Sequence, residues 1–164
     1  VISGDPIYHG VTKTAAKVEL SKVRLLAPVI PRSKIVAVGK NYADHAKEMG
    51  GEVDQDQPFF FSKPPQAITQ LASIPFPNQT DDLHHEVELV VFLRSECSNI
   101  SPGEASQHIF GYGVGVDLTK RDLQTAAKKN GKPWDLSKGF DNSAPISKIY
   151  KKEFLQFFGI RLGA

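Results

Sequence analysis

The stretch "DLHHEVELVVFL", residues 82–93, sets two histidines and two glutamates directly against an apolar run. Read as a strand, its side chains alternate between faces: Glu86, Glu88, Val90 and Phe92 share one, and Val87, Leu89, Val91 and Leu93 the other. Polar residues do not continue along the glutamate face, so both faces are expected to be buried beyond the first pleat. Two carboxylates about 7 Å apart on one buried face need a positive partner, which means Lys, Arg or a metal. The alternative is that both glutamates mark the wet end of an edge strand, where acidic residues discourage edge-to-edge pairing.

A second stretch bears on that choice. In "GYGVGVDLTKRD", residues 111–122, the glycines invite a nucleotide-binding reading. A phosphate-binding turn places its glycines between a strand and a helix, whereas Gly111, Gly113 and Gly115 alternate within a strand. One face of that strand is therefore bare, and Asp117 comes next on it, projecting into the space the glycines leave. The alternative is that the glycines accept a close-packed neighbour while Asp117 caps the following helix, although Thr119 is the better N-cap. Glu86, Glu88 and Asp117 make a hard, all-oxygen ligand set that suits Mg²⁺ or Mn²⁺. Zinc is disfavoured by the single cysteine and the lack of a His-Glu-x-x-His spacing. A histidine and carboxylate iron site would have to use either His84 or His85, because adjacent strand residues face opposite ways.

The chain as a whole sets few further bounds. Its 164 residues suit one domain with a real core. With 40% hydrophobic and 23% charged residues the composition is that of a globular protein. The 20 basic and 18 acidic residues carry no long block of one sign, which argues for neither nucleic acid nor membrane as partner. A lone Cys97 and an opening "VISGDPIYHGVTKT" without an apolar leader make a reducing cytoplasm the expected location.

Along the chain, residues 1–33 are short pieces ending in "APVIPRS", a connector. A strand is expected at "KIVAVG" (34–39), then a short helix in "NYADHAKEMG" with Asn41 as N-cap and Gly50 as its stop. "PFFFSKPPQAI" reads as a strand broken by Pro64 and Pro65, and "SIPFPNQTDD" as a loop. A short helix with Pro102 in its first turn follows the glutamate strand. "TKRDLQTAAKKNG" reads as a helix opened by Thr119 and Asp122 at capping-box spacing and closed by Lys128, Lys129 and Gly131. Irregular alternation of strands with short helices, and 11 prolines, predict an α+β, mainly β domain.

Taken together, "GKNYADHAKEMG", "PFFFSKPPQAI", "HHEVELVVFL", "GYGVGVDLTKRDLQ" and "GKPWDLSKGFDNSAPIS" resemble the fumarylacetoacetate hydrolase family, in its branch of acylpyruvate hydrolases, oxaloacetate decarboxylases and 2-hydroxyhepta-2,4-diene-1,7-dioate isomerases. The resemblance covers roughly residues 22–150 in the family's order. It implies a mixed β-roll or β-sandwich of the fumarylacetoacetase C-terminal-domain type, residues 34–164, usually a homodimer. It also implies one Mg²⁺ or Mn²⁺ held by Glu86, Glu88 and Asp117, and a small 2-oxo acid substrate. His45 and Glu48 match a pair that activates water on a lid helix, although three apart on a helix they would otherwise read as a surface pair. Lys138 matches the family's active-site lysine, a position that reads by itself as a solvated loop. Arg121 and Gln124 match substrate-binding polar residues and share a helix face. The family continues for several strands beyond the point reached by "FFGIRLGA", including a Gly-Thr-Pro segment, so a fragment is expected. A non-catalytic scaffold is the alternative.

Overall fold

The computed structural model describes residues 1–3, 12–31, 34–42 and 58–153. Strands dominate, with helices of no more than nine residues among the described segments. Strands β1 (Ile2–Ser3) and β2 (Thr12–Lys13) pair antiparallel in the exposed N-terminal segment. β3 (Ile35–Gly39) and β4 (Phe59–Lys63) form a second antiparallel pair. Pro64 and Pro65 end β4, since neither has an N–H for a ladder, and a 3₁₀ turn over Pro65–Ala67 leads into β5 (Ile68–Thr69).

The centre is one long antiparallel ladder. β6 (Leu83–Leu93) pairs with β7 (Ile109–Lys120), and β7 pairs on its far side with β9 (Tyr150–Lys151). Between β6 and β7 lies α1 (Pro102–Ala105), where Ser101 and Glu104 form a capping box. After β7 come α2 (Arg121–Lys129) and α3 (Asp135–Lys138), and then β8 (Ala144–Pro145), parallel to β5. Ser147 N donates to Val114 O at 2.9 Å and Ile146 N to Thr69 O at 3.0 Å, so the segment around β8 ties β5 to β7.

The register opposes Glu86 to Asp117, Glu88 to Gly115, Val90 to Gly113 and Phe92 to Gly111. The glycine row thus faces the glutamate row on one side of the ladder, as strand alternation requires. That face is not an open space. A Cβ at Gly115 would stand 2.6 Å from Val90 Cγ2, and one at Gly111 would stand 2.3 Å from the Tyr150 carbonyl oxygen. The glycines let neighbouring chain approach closely, so the close-packing alternative holds for them.

Three expectations need correction. The opposite face of β6 is not buried: Val87, Leu89, Val91 and Leu93 are 65, 51, 45 and 62% exposed. Alternation fixes which residues share a face, but not whether the described chain covers it. Thr119 is not an N-cap; it belongs to β7, and Lys120 precedes the first turn of α2 without a side-chain cap bond. Asp117 does not cap that helix either, since its carboxylate is engaged inside the ladder. Asp122 instead turns back to the loop before β6, accepting from Thr80 Oγ1 and from Asp81 N. The helix expected from Asn41 to Gly50 falls mainly outside the described residues.

Gly111→Ala should force β7 from β9, because the obstruction is backbone, and should lower stability by about 1–3 kcal/mol in urea unfolding. Gly103→Ala, in α1 with nothing within 4 Å of its added Cβ, should leave the unfolding midpoint unchanged or raise it slightly.

Candidate active site

Among the described residues, the fully buried side chains are more often polar than apolar. Ala67, Phe92, Leu118 and Ala144 form the buried apolar set, while Lys63, Asp117, Thr119, Gln124, Ser137, Lys138 and Ser143 are buried around them. The polar groups converge where the Glu86–Asp117 pair of the ladder meets α2, α3 and the end of β4.

Lys138 is the hub. Two per cent exposed at the end of α3, it donates to Asp117 Oδ2 at 2.6 Å, Thr119 Oγ1 at 2.6 Å and Glu86 Oε2 at 2.8 Å. Three acceptors satisfy all three ammonium protons. The remaining Glu86 oxygen, Oε1, is paired with the Arg121 guanidinium, which also donates to Gln124 Oε1 from Nη1. Arg121 Nε donates to His84 Nδ1 at 3.3 Å, leaving the ring proton on Nε2, which faces Asp82 Oδ1 at 3.0 Å. The helix geometry explains this fork: Arg121 and Gln124 stand one turn apart on the side of α2 that meets β6.

Burial pushes the Glu86 carboxyl up. The hydrogen bond and charge of Lys138, with the charge and hydrogen bond of Arg121, outweigh that and hold it down at about 2. For Lys63 the balance goes the other way: burial pushes its ammonium below the ordinary lysine range, against the opposing pull of Asp117.

The expected residues are thus brought together in large part. Glu86, Asp117, Lys138, Arg121 and Gln124 form one bonded cluster. Glu88 lies on the same face of β6, half-buried and opposite Gly115. His45 and Glu48 lie outside the described residues. Lys138 is no solvated loop lysine. Lys63, Thr119 and Ser143 were not anticipated as site residues. The signal for Lys63 was present: Phe59, Phe61 and Lys63 alternate on one face of β4, and the aromatic members pack on Trp134, with centroids 4.8 and 5.9 Å apart.

Among the described residues no three His, Cys, Asp or Glu side chains are gathered closely enough to hold a metal ion. The donor chemistry nevertheless fits a hard divalent cation. An ammonium already sits between the Glu86 and Asp117 carboxylates, and Asp117 Oδ1 is buried without an aligned hydrogen bond. A cavity of about 460 Å³ runs beside the cluster, lined by Tyr42, His84, Glu86, Glu88 and Arg121 among others.

With this geometry in view, the comparisons with known proteins are specific. The sequence profile described as fumarylacetoacetate (FAA) hydrolase C-terminal matches residues 34–162. The chain belongs to the fumarylacetoacetate hydrolase family. It is 44% identical over 118 residues to oxaloacetate tautomerase YcgM of Escherichia coli, covering 71% of this chain and 53% of that protein. It is 42% identical over 122 residues to the mitochondrial oxaloacetate decarboxylase of Dictyostelium discoideum, covering 73% and 56%. The fumarylpyruvate hydrolase of Pseudomonas aeruginosa, crystallised with Mn²⁺ and pyruvate, superposes with a TM-score of 0.69 at 37% identity, covering 80% of this chain and 64% of that one. The chain spans about half the length of the relatives it matches. The mainly β, α+β fold is that of this family.

The Glu86 carboxyl titrates lower in the fold than the 4.5 of its ordinary value. Its contribution to stability is therefore complete above pH 4.5 and is lost as pH falls toward 2. In metal-free protein the urea midpoint should fall across that interval, and Glu86→Gln, weaker at pH 7, should show a flatter decline there.

Proposed function

We propose that this chain carries the active site of a divalent-metal-dependent enzyme that acts on small 2-oxo acids through an enolate. The observation that carries this reading is the Lys138 ammonium buried between the Glu86 and Asp117 carboxylates, with the Arg121–Gln124 pair beside it. Glu86, Glu88 and Asp117 are the residues that would hold Mg²⁺ or Mn²⁺, a reading supported by the Mn²⁺ in the Pseudomonas structure. When bound, the ion supplies Lewis-acid charge at the substrate's carboxylate and 2-oxo oxygens.

The protein's own groups do the rest. Lys138 and Arg121 are fixed cations toward which negative charge develops on the 2-oxo oxygen, and because they are already oriented they cost little reorganisation as the bond breaks. Gln124 accepts from Arg121 through Oε1, so its amide NH₂ is the donor it offers to a substrate oxygen. His45, with Glu48, is the pair assigned to take a proton from the attacking water in the hydrolytic reaction. Acylpyruvate hydrolysis and oxaloacetate decarboxylation share the enolate and differ in the need for that water. The oxaloacetate tautomerase among the relatives favours a second reading, keto–enol isomerisation, in which the same enolate forms without carbon–carbon cleavage.

The family match over residues 34–162 supports residues 34–164 as the catalytic unit and 1–33 as a connector. The exposed apolar side of β6 and β7 supports a homodimer. No helix among the described residues is long and apolar enough to cross a membrane. A reducing cytoplasm suits the exposed, free Cys97.

With metal supplied, Glu86→Gln and Asp117→Asn should each lower turnover of oxaloacetate or an acylpyruvate by at least about 10²-fold. Full activity of both variants in a chelator overturns the reading. His45→Ala should slow acylpyruvate hydrolysis on the order of 10²–10⁴-fold and oxaloacetate decarboxylation far less. Steady-state assays with both substrates separate the two, and equal losses would assign His45 to substrate positioning.

A further inference from the structure

Lys63 is a buried cation that the proposed chemistry does not use. It ends β4, and its Nζ meets Asp117, whereas Arg121 meets Glu86. It donates to Leu118 O at 3.2 Å, to Ser143 Oγ at 3.1 Å and to the carbonyl of Lys138. Those three bonds use every ammonium proton. Asp117 Oδ1 lies 2.8 Å from the same nitrogen and yet has no aligned hydrogen bond. The Asp117 carboxylate is therefore in direct ion-pair contact with Lys63. Its other oxygen is held by Lys138 at 2.6 Å.

Two lysines thus clamp one aspartate, and one of them also anchors the other. The Lys138 carbonyl accepts both from Lys63 and from the Ser143 hydroxyl, at 2.9 Å for the latter. This fixes the backbone from which the Lys138 side chain extends to Glu86, Asp117 and Thr119. A long, unbranched side chain holds a defined position only if its root is held, because a displacement of about 1 Å at a reacting group can cost about 10²-fold in rate. Resting on the function proposed for this site, we infer that Lys63 is a positioning residue: it anchors the Lys138 backbone and balances the Asp117 charge. The wholly buried Ser143 is the third member of this anchor.

The test uses the full chain loaded with diamagnetic Mg²⁺ and three variants. Lys63→Met keeps an apolar stem but leaves Asp117 short of a countercharge, a kind of change that can unfold a protein. Ser143→Ala, which removes one neutral hydroxyl, is therefore measured beside it, and Lys138→Met assigns the Lys138 signal. In ¹⁵N-lysine-labelled protein, buried ammonium groups exchange slowly enough to give ¹H–¹⁵N cross-peaks. The Lys138 cross-peak should shift or broaden in Ser143→Ala and in folded Lys63→Met. In the folded proteins kcat should fall about 10²-fold for Lys63→Met and roughly tenfold for Ser143→Ala, with KM within about threefold. A purely structural role predicts a lowered Tm with kcat of the folded protein unchanged. An unmoved Lys138 cross-peak, or unchanged kcat in an active protein, overturns the inference. If the unsubstituted protein turns over no 2-oxo acid, the functional reading fails by itself and the cross-peak alone decides the positioning.

Discussion

The described interior is organised around the need to neutralise two carboxylates facing each other across a strand pair. Glu86 and Asp117 are cross-strand partners on the buried side of the β6–β7 ladder, and the cost of removing two like charges from water there would be prohibitive without cations. Lys63, Lys138 and Arg121 meet that demand from three different elements: the end of β4, the end of α3 and the first turn of α2. Each cation also donates to at least one neutral acceptor, Lys138 to Thr119, Lys63 to Ser143 and Arg121 to Gln124, which locks it in position. Each carboxylate touches two of the three cations, Glu86 meeting Lys138 and Arg121 and Asp117 meeting Lys63 and Lys138, so Lys138 is shared by both. The same groups that could destabilise the fold therefore hold β4, β6, β7, α2 and α3 to one another.

That arrangement also accounts for the site's chemistry. A place built to compensate negative charge with fixed positive groups is one where charge developing on a substrate oxygen is already anticipated. The carboxylates, being the reason for the cations, are also the donors proposed for a hard metal ion.

Strand periodicity made much of this legible in the sequence. Alternation alone placed Glu86, Glu88 and Phe92 on one face and aligned Asp117 with the glycine row, and the register agrees. Three kinds of information were not local. Burial of Lys138 depends on where a four-residue helix is carried by the preceding loop, and nothing in "WDLSK" encodes that destination. Thr119 has good N-cap chemistry but β7 runs through it to Lys120, because its hydroxyl is claimed by Lys138, a partner 19 residues away. The apolar outer side of β6 was expected to be buried because a strand's composition cannot say which surface will lie against it. Lys63 continues the Phe59–Phe61 row, so the alternation of β4 carries the signal that places it.

Glu86, Glu88 and Asp117 are proposed to form together a cation site whose countercharges are Lys63, Lys138 and Arg121. Anomalous diffraction from crystals grown with Mn²⁺ tests it most directly. The account predicts an anomalous peak bounded by the carboxylate oxygens of Glu86, Glu88 and Asp117. Manganese bound elsewhere, with Lys138 still bridging Glu86 and Asp117, would contradict it.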